Sequence, residues 1–506
     1  MSRQRRSAVS GETEYLFRHA LVREVAYEQI PRALRADKHR TAGGWIESLG
    51  RTEDHAEMLA HHYGAALELW VDSGPPDLLL RYGRSLAVAG EERGTAILEL
   101  AAEGLLAAGD REGAAEAHAF LTDALQHQGK RDAAFEHIER ALELVRDAPR
   151  SPAKARVLTE SSRLLALGER SEAAVVAQEA YEMAEALGLA ELTARALANL
   201  GLAKTQALDF DGAVADLERS VELARSASSP EEARARHNLG SATWFRGELA
   251  RATTLFDEAA RLSERFGTPQ MALASRAVLC ATFHTTGAWN EALRLAEDLI
   301  ERLASAGPSY FEYHLRVARS RIGLARGVDD ELVLADARRA VEVGRSAKDL
   351  QALVPVLSNL AFAAAELGRM DEARETANEL ASLLSGASPI NTHRTVDAAW
   401  VAERLGCEDA LRRLAVAAPD THVWREAVLA VLDRDFERAA DAFAALGHVD
   451  EGYAWLRAGE QHLAEGRGEG EAQLRQAIAF FRPLGATRYV SRAEQLIADP
   501  GLEIPA

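Results

Sequence analysis

Small and apolar residues recur along the middle of this chain with a long period. Ala134, Ala173, Ala213, Ala252, Ala292, Val333 and Ala373 follow one another at separations of 39, 40, 39, 40, 41 and 40 residues. Four residues after each stands Ile138, Ala177, Leu217, Phe256, Ala296, Ala337 or Ala377, and three further on stands Ala141, Ala180, Ser220, Ala259, Leu299, Ala340 or Leu380. Spacing of i, i+4, i+7 lies on one helical face, so each copy predicts one amphipathic helix packed through a narrow stripe. Five residues ahead of five of these positions sits a glycine: Gly129, Gly168, Gly247, Gly287 and Gly368. A left-handed glycine there ends one helix and lets the next fold back. The pattern predicts helical hairpins repeated about every 40 residues, an all-α solenoid whose neighbours bury one another's faces.

The sharpest copy runs Asn238-Leu239-Gly240, then Gly247, Ala252, Phe256 and Ala259, and it resembles the tetratricopeptide consensus. Asn199-Leu200-Gly201 through Ala213, Leu217 and Ser220 matches nearly as well, and Asn359-Leu360-Ala361 opens a third copy. The usual tetratricopeptide period is about 34 residues, so both helices of each hairpin should be roughly one turn longer. The resemblance implies a right-handed superhelix whose first helices line a concave groove. Carried over, its groove positions are Arg234, His237, Ser241, Trp244 and Phe245 in the sharp repeat, Arg195, Thr205 and Gln206 before it, and His284 and Thr285 after it. Arginine beside aromatics is the residue mix of interface hot spots. The candidate binding residues are therefore Arg195, Gln206, Arg234, His237, Trp244, Phe245 and His284.

The ends differ from the middle. Leu16, Ala20, Leu21 and Val25 form a stripe on a predicted helix from Tyr15 to Tyr27, punctuated by Pro31; further helices are expected over 38–49 and 54–69. The strings FRHALVREVAYEQI, KHRTAGGWIES and AEMLAHHYGAA resemble the helical region that follows the ATPase core in bacterial STAND-type AAA proteins, often fused to an adenylate/guanylate cyclase. DFERAADAFAALG, EAQLRQAIAFF and LGATRYVSRAEQLI resemble the closing repeats of the same proteins. The resemblance implies three parts: a helical region over 1–90, tetratricopeptide-like repeats over 91–390, and degenerate closing repeats with a cap over 391–506. It implies the arm of a signalling or transcription-regulatory ATPase, one that restrains or releases a nucleotide switch. The phosphate loop G-x-x-x-x-G-K-[ST] is missing; Gly466-Arg-Gly-Glu-Gly470 lacks its lysine and carries an acid that would repel phosphate. The arm is thus expected here without its motor or output.

Charge narrows the partner. The chain holds 59 Lys/Arg and 78 Asp/Glu, a net −19, and most of its surface should repel nucleic acid. Residues 1–40 hold nine basic and five acidic residues, with Arg3, Arg5 and Arg6 at the start, which reads as a solvated tail. A winged-helix-like module over 1–70 in a DNA-binding regulator is the alternative reading, but no recognition helix with clustered Arg, Asn or Gln stands out. The two cysteines, Cys280 and Cys407, build no disulfide framework, and Cys280 occupies the packing position of Gly240 and Gly201. No apolar run reaches the length of a membrane span, so a cytoplasmic protein is expected. His55, His61 and His62 lack metal-ligand spacing and read as surface or half-buried helical histidines. No nucleophile, acid–base pair, metal or cofactor site is expected. The function expected is recognition of a protein, peptide or small effector without covalent chemistry.

Overall fold

The computed structural model describes residues 2–3, 15–16, 20–49, 55–70, 74–128, 130–168, 170–306, 309–347, 350–385, 387, 395–467 and 470–499. Among them are twenty-six helices and one two-residue antiparallel pairing of β1 (Ser2–Arg3) with β2 (Tyr15–Leu16). Two compact units divide the chain: Met1–Ala124 with Glu136–Ala148, and Leu125–Phe135 with Pro149–Ala506.

The first unit contains α1 (Ala20–Glu28), α2 (Arg32–Ser48), α3 (Ala56–Glu68), α4 (Pro76–Val88), α5 (Arg93–Ala107) and most of α6 (Arg111–His127) and α7 (Arg131–Val145). Leu16 pairs as a strand, so the expected first helix starts only at Ala20. Among the described residues α1 has no buried residue, and Leu21 is 74% exposed. Pro31 both ends α1 and launches α2 at Arg32, six residues ahead of the expected start, because its fixed φ of −53° suits the residue before a helix. Ile46, Leu59, Tyr63, Ala66 and Leu78 form the core of α2, α3 and α4.

The second unit carries the hairpins: α8 (Pro152–Leu167) with α9 (Ala173–Ala186), α10 (Ala190–Gln206) with α11 (Phe210–Ser226), α12 (Glu231–Phe245) with α13 (Leu249–Phe266), α14 (Pro269–Thr285) with α15 (Trp289–Ala306), α16 (Glu312–Ala325) with α17 (Asp330–Ala347), and α18 (Leu350–Glu366) with α19 (Met370–Leu384). All twenty-one positions of the repeat pattern are buried, from Ala134 to Leu380. The small residues permit close approach: a Cβ on Gly201 would lie 2.5 Å from Leu217, and one on Gly240 would lie 3.0 Å from Phe256. Cys280 fills the same position, fully buried, its thiol donating to the Ala292 carbonyl at 3.3 Å and its pKa pushed up to about 12 by burial.

Left-handed residues recur at the hairpin turns, at Leu208, Gly247, Gly287, Gly327 and Gly368. Gly168 departs from the expectation, with φ −84°. It is needed for room instead, since a Cβ there would lie 2.6 Å from the Phe135 ring. Gly129 lies outside the described residues, as do Arg5 and Arg6. First helices of successive hairpins touch, α8 on α10, α10 on α12 and so on to α18.

The closing segment comprises α20 (Val396–Leu405), α21 (Asp409–Ala417), α22 (Val423–Leu432), α23 (Phe436–Leu446), α24 (Asp450–Ala464), α25 (Gly470–Phe481) and α26 (Thr487–Ala498). It folds back onto the C-terminal ends of α12, α14 and α16. The last carbonyls of a helix have no partner within it, and here later residues supply donors. Trp424 Nε1 donates to the Trp244 carbonyl (3.3 Å), the Val449 N–H to that of Thr285 (2.9 Å), Arg488 Nε to that of Leu324 (3.0 Å) and Thr487 Oγ1 to that of Arg326 (2.6 Å). Arg488 also brings positive charge to the negative end of the α16 dipole. Among the described residues no helix is long and apolar enough to cross a membrane.

Candidate functional site

The hairpin register turns one side of α8, α10 and α12 toward the inner face. On α8 it presents Arg156, Glu160 and Arg163, at i, i+4, i+7. Arg195 of α10 sits between two carboxylates: Nη1 donates to Glu160 of α8 at 2.7 Å, and Nε and Nη2 donate to Glu231 of α12 at 2.9 and 2.5 Å. Arg234 adds a contact to Glu231 at 3.3 Å. Burial opposes ionisation of Glu231, but Arg195, Arg234 and Arg163 outweigh it and hold the carboxyl below its ordinary range. Both carboxylates are buried, whereas the arginine side chains keep 21% (Arg195) and 29% (Arg234) of their surface.

Amides and a histidine extend the face. Gln206, half-buried at the end of α10, has no hydrogen-bond partner for Oε1. His237 contacts Ser275 Oγ at 3.1 Å and meets Phe256 edge-on at 5.2 Å. Burial, aided by the Arg234 charge, pushes its pKa down to about 4, so it is neutral at pH 7.

The remaining expected groove residues meet the chain's own closing segment or its neighbours. Trp244 is half-buried and stacks on Trp424, with centroids 6.0 Å apart and planes 19° from parallel. Phe245 is buried and stacks on Phe210, which also receives the edge of His422. Thr205 and Thr285 are buried, each hydroxyl bonded to the carbonyl four residues earlier. His284 lines a cavity of ≈ 20 Å³, room for about one water, with Arg321, Asp450, Tyr453 and Tyr489. Burial foremost, then Arg321, pushes its pKa down to about 3. The structure thus brings Arg195, Arg234, His237 and Gln206 onto the face of α10 and α12, and sets Trp244, Phe245 and His284 against intramolecular partners.

Beyond His284 the inner face closes over a charged core that the repeat pattern does not announce. Arg321 lies 3.8 Å above the Phe362 ring, 3.1 Å from Asp397 and 3.3 Å from Asp450, which also accepts from Trp400 Nε1 at 2.9 Å. Glu366 faces Arg404 (2.9 Å) and Arg492 (3.3 Å) and accepts from the Tyr453 hydroxyl at 2.8 Å. Glu460 pairs with Arg492 and Arg457, and Glu403 with Arg457 and Arg434. Sequence reasoning missed this set because Arg321 and Asp450 are 129 residues apart. It also missed Arg156 and Arg163, although Arg156, Arg195 and Arg234 repeat at 39 residues, a signal present in the sequence.

In the first unit, His39 Nδ1 lies 3.0 Å from His62 Nδ1 and its Nε2 2.8 Å from the Tyr27 hydroxyl, while His61 is exposed. Burial lowers the pKa of both His39 and His62. Among the described residues no group of three or more His, Cys, Asp or Glu is arranged to hold a metal.

The tetratricopeptide repeat family matches residues 233–265, the hairpin α12–α13. Among curated proteins no sequence matches the chain. Among solved structures, a Rap protein complexed with competence and sporulation factor is similar, with TM-score 0.52 and 16% identity, over 68% of this chain and 97% of that one. A STAND protein with a tetratricopeptide repeat sensor from Pyrococcus horikoshii aligns with TM-score 0.41 and 14% identity, over 64% of this chain and 50% of that one. The quorum sensor NprR from B. thuringiensis aligns with TM-score 0.45 and 12% identity, over 69% and 97%. The chain has the all-helical, tetratricopeptide-like solenoid fold of the Rap protein.

Proposed function

We propose that this protein is a non-catalytic sensor or scaffold arm that binds a protein, peptide or small effector on the inner face of its repeats. The observation that carries the reading is the partly exposed arginine and amide surface spanning α8, α10 and α12. Such a surface recognises by hydrogen bonds and charge. The Rap structure, of the same fold, holds the competence and sporulation factor. A signalling or transcription-regulatory ATPase is the setting proposed, on the STAND-like strings at both ends. In that setting residues 1–90 adjoin the motor, 91–390 form the repeat array and 391–506 close it. The compartment proposed is the cytoplasm.

The test uses the full chain on an array of random dodecapeptides, with a photo-crosslinking residue introduced in place of Gln206 or, on the outer surface, Arg345. Crosslinks from position 206 and none from 345 are expected. Binding that crosslinks only from 345 would move the site off the inner face, and robust ATP turnover by the chain would overturn the non-catalytic reading.

A further inference from the structure

The first unit sets two pairs of histidines nitrogen to nitrogen, each pair bridging two helices. Between α2 and α3, His39 Nδ1 lies 3.0 Å from His62 Nδ1; between α6 and α7, His118 Nδ1 lies 2.9 Å from His137 Nδ1. Two neutral imidazoles so placed share one proton, one Nδ1 donating and the other accepting. Such a pair is also a metal chelate, with two basic nitrogens from separate helices held within reach of one ion. The surroundings of the two pairs differ. Burial first, then the charges of His137 and Arg140, push the His118 pKa down to about 4, so a cation there meets both a dry site and a guanidinium. His39 and His62 are half-buried, and burial and the neighbouring histidines alone lower their pKa. The exposed His61 ring lies beside them, with its centroid 6.1 Å from that of His39 and 5.3 Å from that of His62. Tyr27, near the end of α1, holds the far side of His39, its hydroxyl 2.8 Å from Nε2. Metal-bound histidines almost always donate their other ring N–H to an oxygen that fixes tautomer and orientation. Tyr27 already stands in that place.

We infer that His39 Nδ1 and His62 Nδ1 together bind one divalent late transition-metal ion, of the copper(II) or nickel(II) class, and so clip α2 to α3. Nitrogens 3.0 Å apart, each about 2.0–2.1 Å from an ion, subtend about 90° at it. That is the angle between neighbouring ligands in the tetragonal geometry of copper(II) and nickel(II). A tetrahedral zinc site would set the two nitrogens about 3.4 Å apart instead. Water fills the remaining positions from the exposed side where His61 sits, so two protein ligands are enough. Both rings are neutral at pH 7, and the ion displaces only the proton they share. That proton moves to Nε2 of its own ring, while the His39 Nε2–H donates to Tyr27. The chain does not announce the site by spacing, because its two ligands stand 23 residues apart on different helices.

The experiment titrates the full chain, stripped with a chelator, with copper(II), nickel(II) and zinc(II) by calorimetry at neutral pH, and reads the copper complex by electron paramagnetic resonance. One site dependent on His39 and His62 is expected, with copper(II) and nickel(II) bound more tightly than zinc(II) and two imidazole nitrogens in the copper spectrum. His39→Gln or His62→Gln should weaken binding at least tenfold, Tyr27→Phe about threefold, and His118→Gln not at all. Should the His39 and His62 variants fail to fold, the parent chain carries the test: bound nickel(II) should protect His39 and His62, and not His118, from acylation by diethyl pyrocarbonate, read by mass spectrometry. Affinity untouched by both variants, or no protection, overturns the site. Tighter binding of zinc(II) than of nickel(II) overturns the tetragonal geometry. A loss on His61→Gln as large as on His62→Gln overturns the two-histidine chelate, and a loss on His118→Gln alone moves the ion to the other pair.

Discussion

The inner face over α8–α12 and the inner face over α16–α26 are made of the same materials and behave differently. In the later region, arginines and acids sit together below aromatic rings, and donors from the closing helices reach the carbonyl ends of earlier ones. In the earlier region, Glu160 and Glu231 are buried but their arginines stay partly in solvent. The difference teaches that a polar inner face is not left open in a solenoid by default. Where the chain is long enough to return on itself it covers that face, and the cover must match it bond for bond. Buried ion pairs add little net stability but penalise any misfit severely, so the closing segment gains a fixed register more than strength.

The sharpest way to break this comparison is to unbalance the closed region. Asp450→Ala removes an acceptor from buried Arg321 and from Trp400, and it should cost about 3–5 kcal/mol in urea unfolding, as expected for stripping one partner from a buried pair. Arg234→Gln in the open region should cost well under half as much, because its side chain already reaches water; equal losses would erase the distinction.

Acid should act next. Burial pushes His284 down to about 3 and His237 and His422 down to about 4, from 6.5 in the unfolded chain. Between those values the unfolded state binds more protons, so the stability is fully present above pH 6.5 and is lost as pH falls toward 4. Asp397, raised to about 6 by burial, opposes this between about pH 4 and 6, since its folded form holds the proton longer. The net expectation is a loss on the order of 2 kcal/mol per pH unit between pH 6 and 5, read from urea midpoints. A flat profile would mean these histidines are not sequestered, and His422→Gln should reduce the slope by about 1 kcal/mol per pH unit.

A smaller effect tests the repeat packing common to both regions. Ala252 is fully buried, so Ala252→Leu should destabilise by about 1–3 kcal/mol through overpacking. An unchanged melting temperature would sink the register. Smallest of all is the outer surface, where Arg345 and Glu379 form an exposed pair. Arg345→Gln should shift stability by no more than about 0.5 kcal/mol.

The repeat, its period and its packing face were legible in the chain, because a helix buries residues at fixed local spacing and a solenoid reuses that spacing with its neighbour only. So was the packing role of Cys280, which follows from register alone. The arginine ladder from Arg156 was equally legible, being periodic, though it begins one repeat before the groove residues taken from the tetratricopeptide pattern. What the sequence could not fix was which parts of the inner face the chain itself would cover. Trp244 and His284 occupy groove positions by register, yet Trp424 and Asp450 reach them from 180 and 166 residues further along. Pairings at that distance depend on how far successive hairpins turn relative to one another. Each small rotation is set by side-chain volumes at many interfaces, and only their accumulated sum in three dimensions decides that the closing helices arrive at α12, α14 and α16.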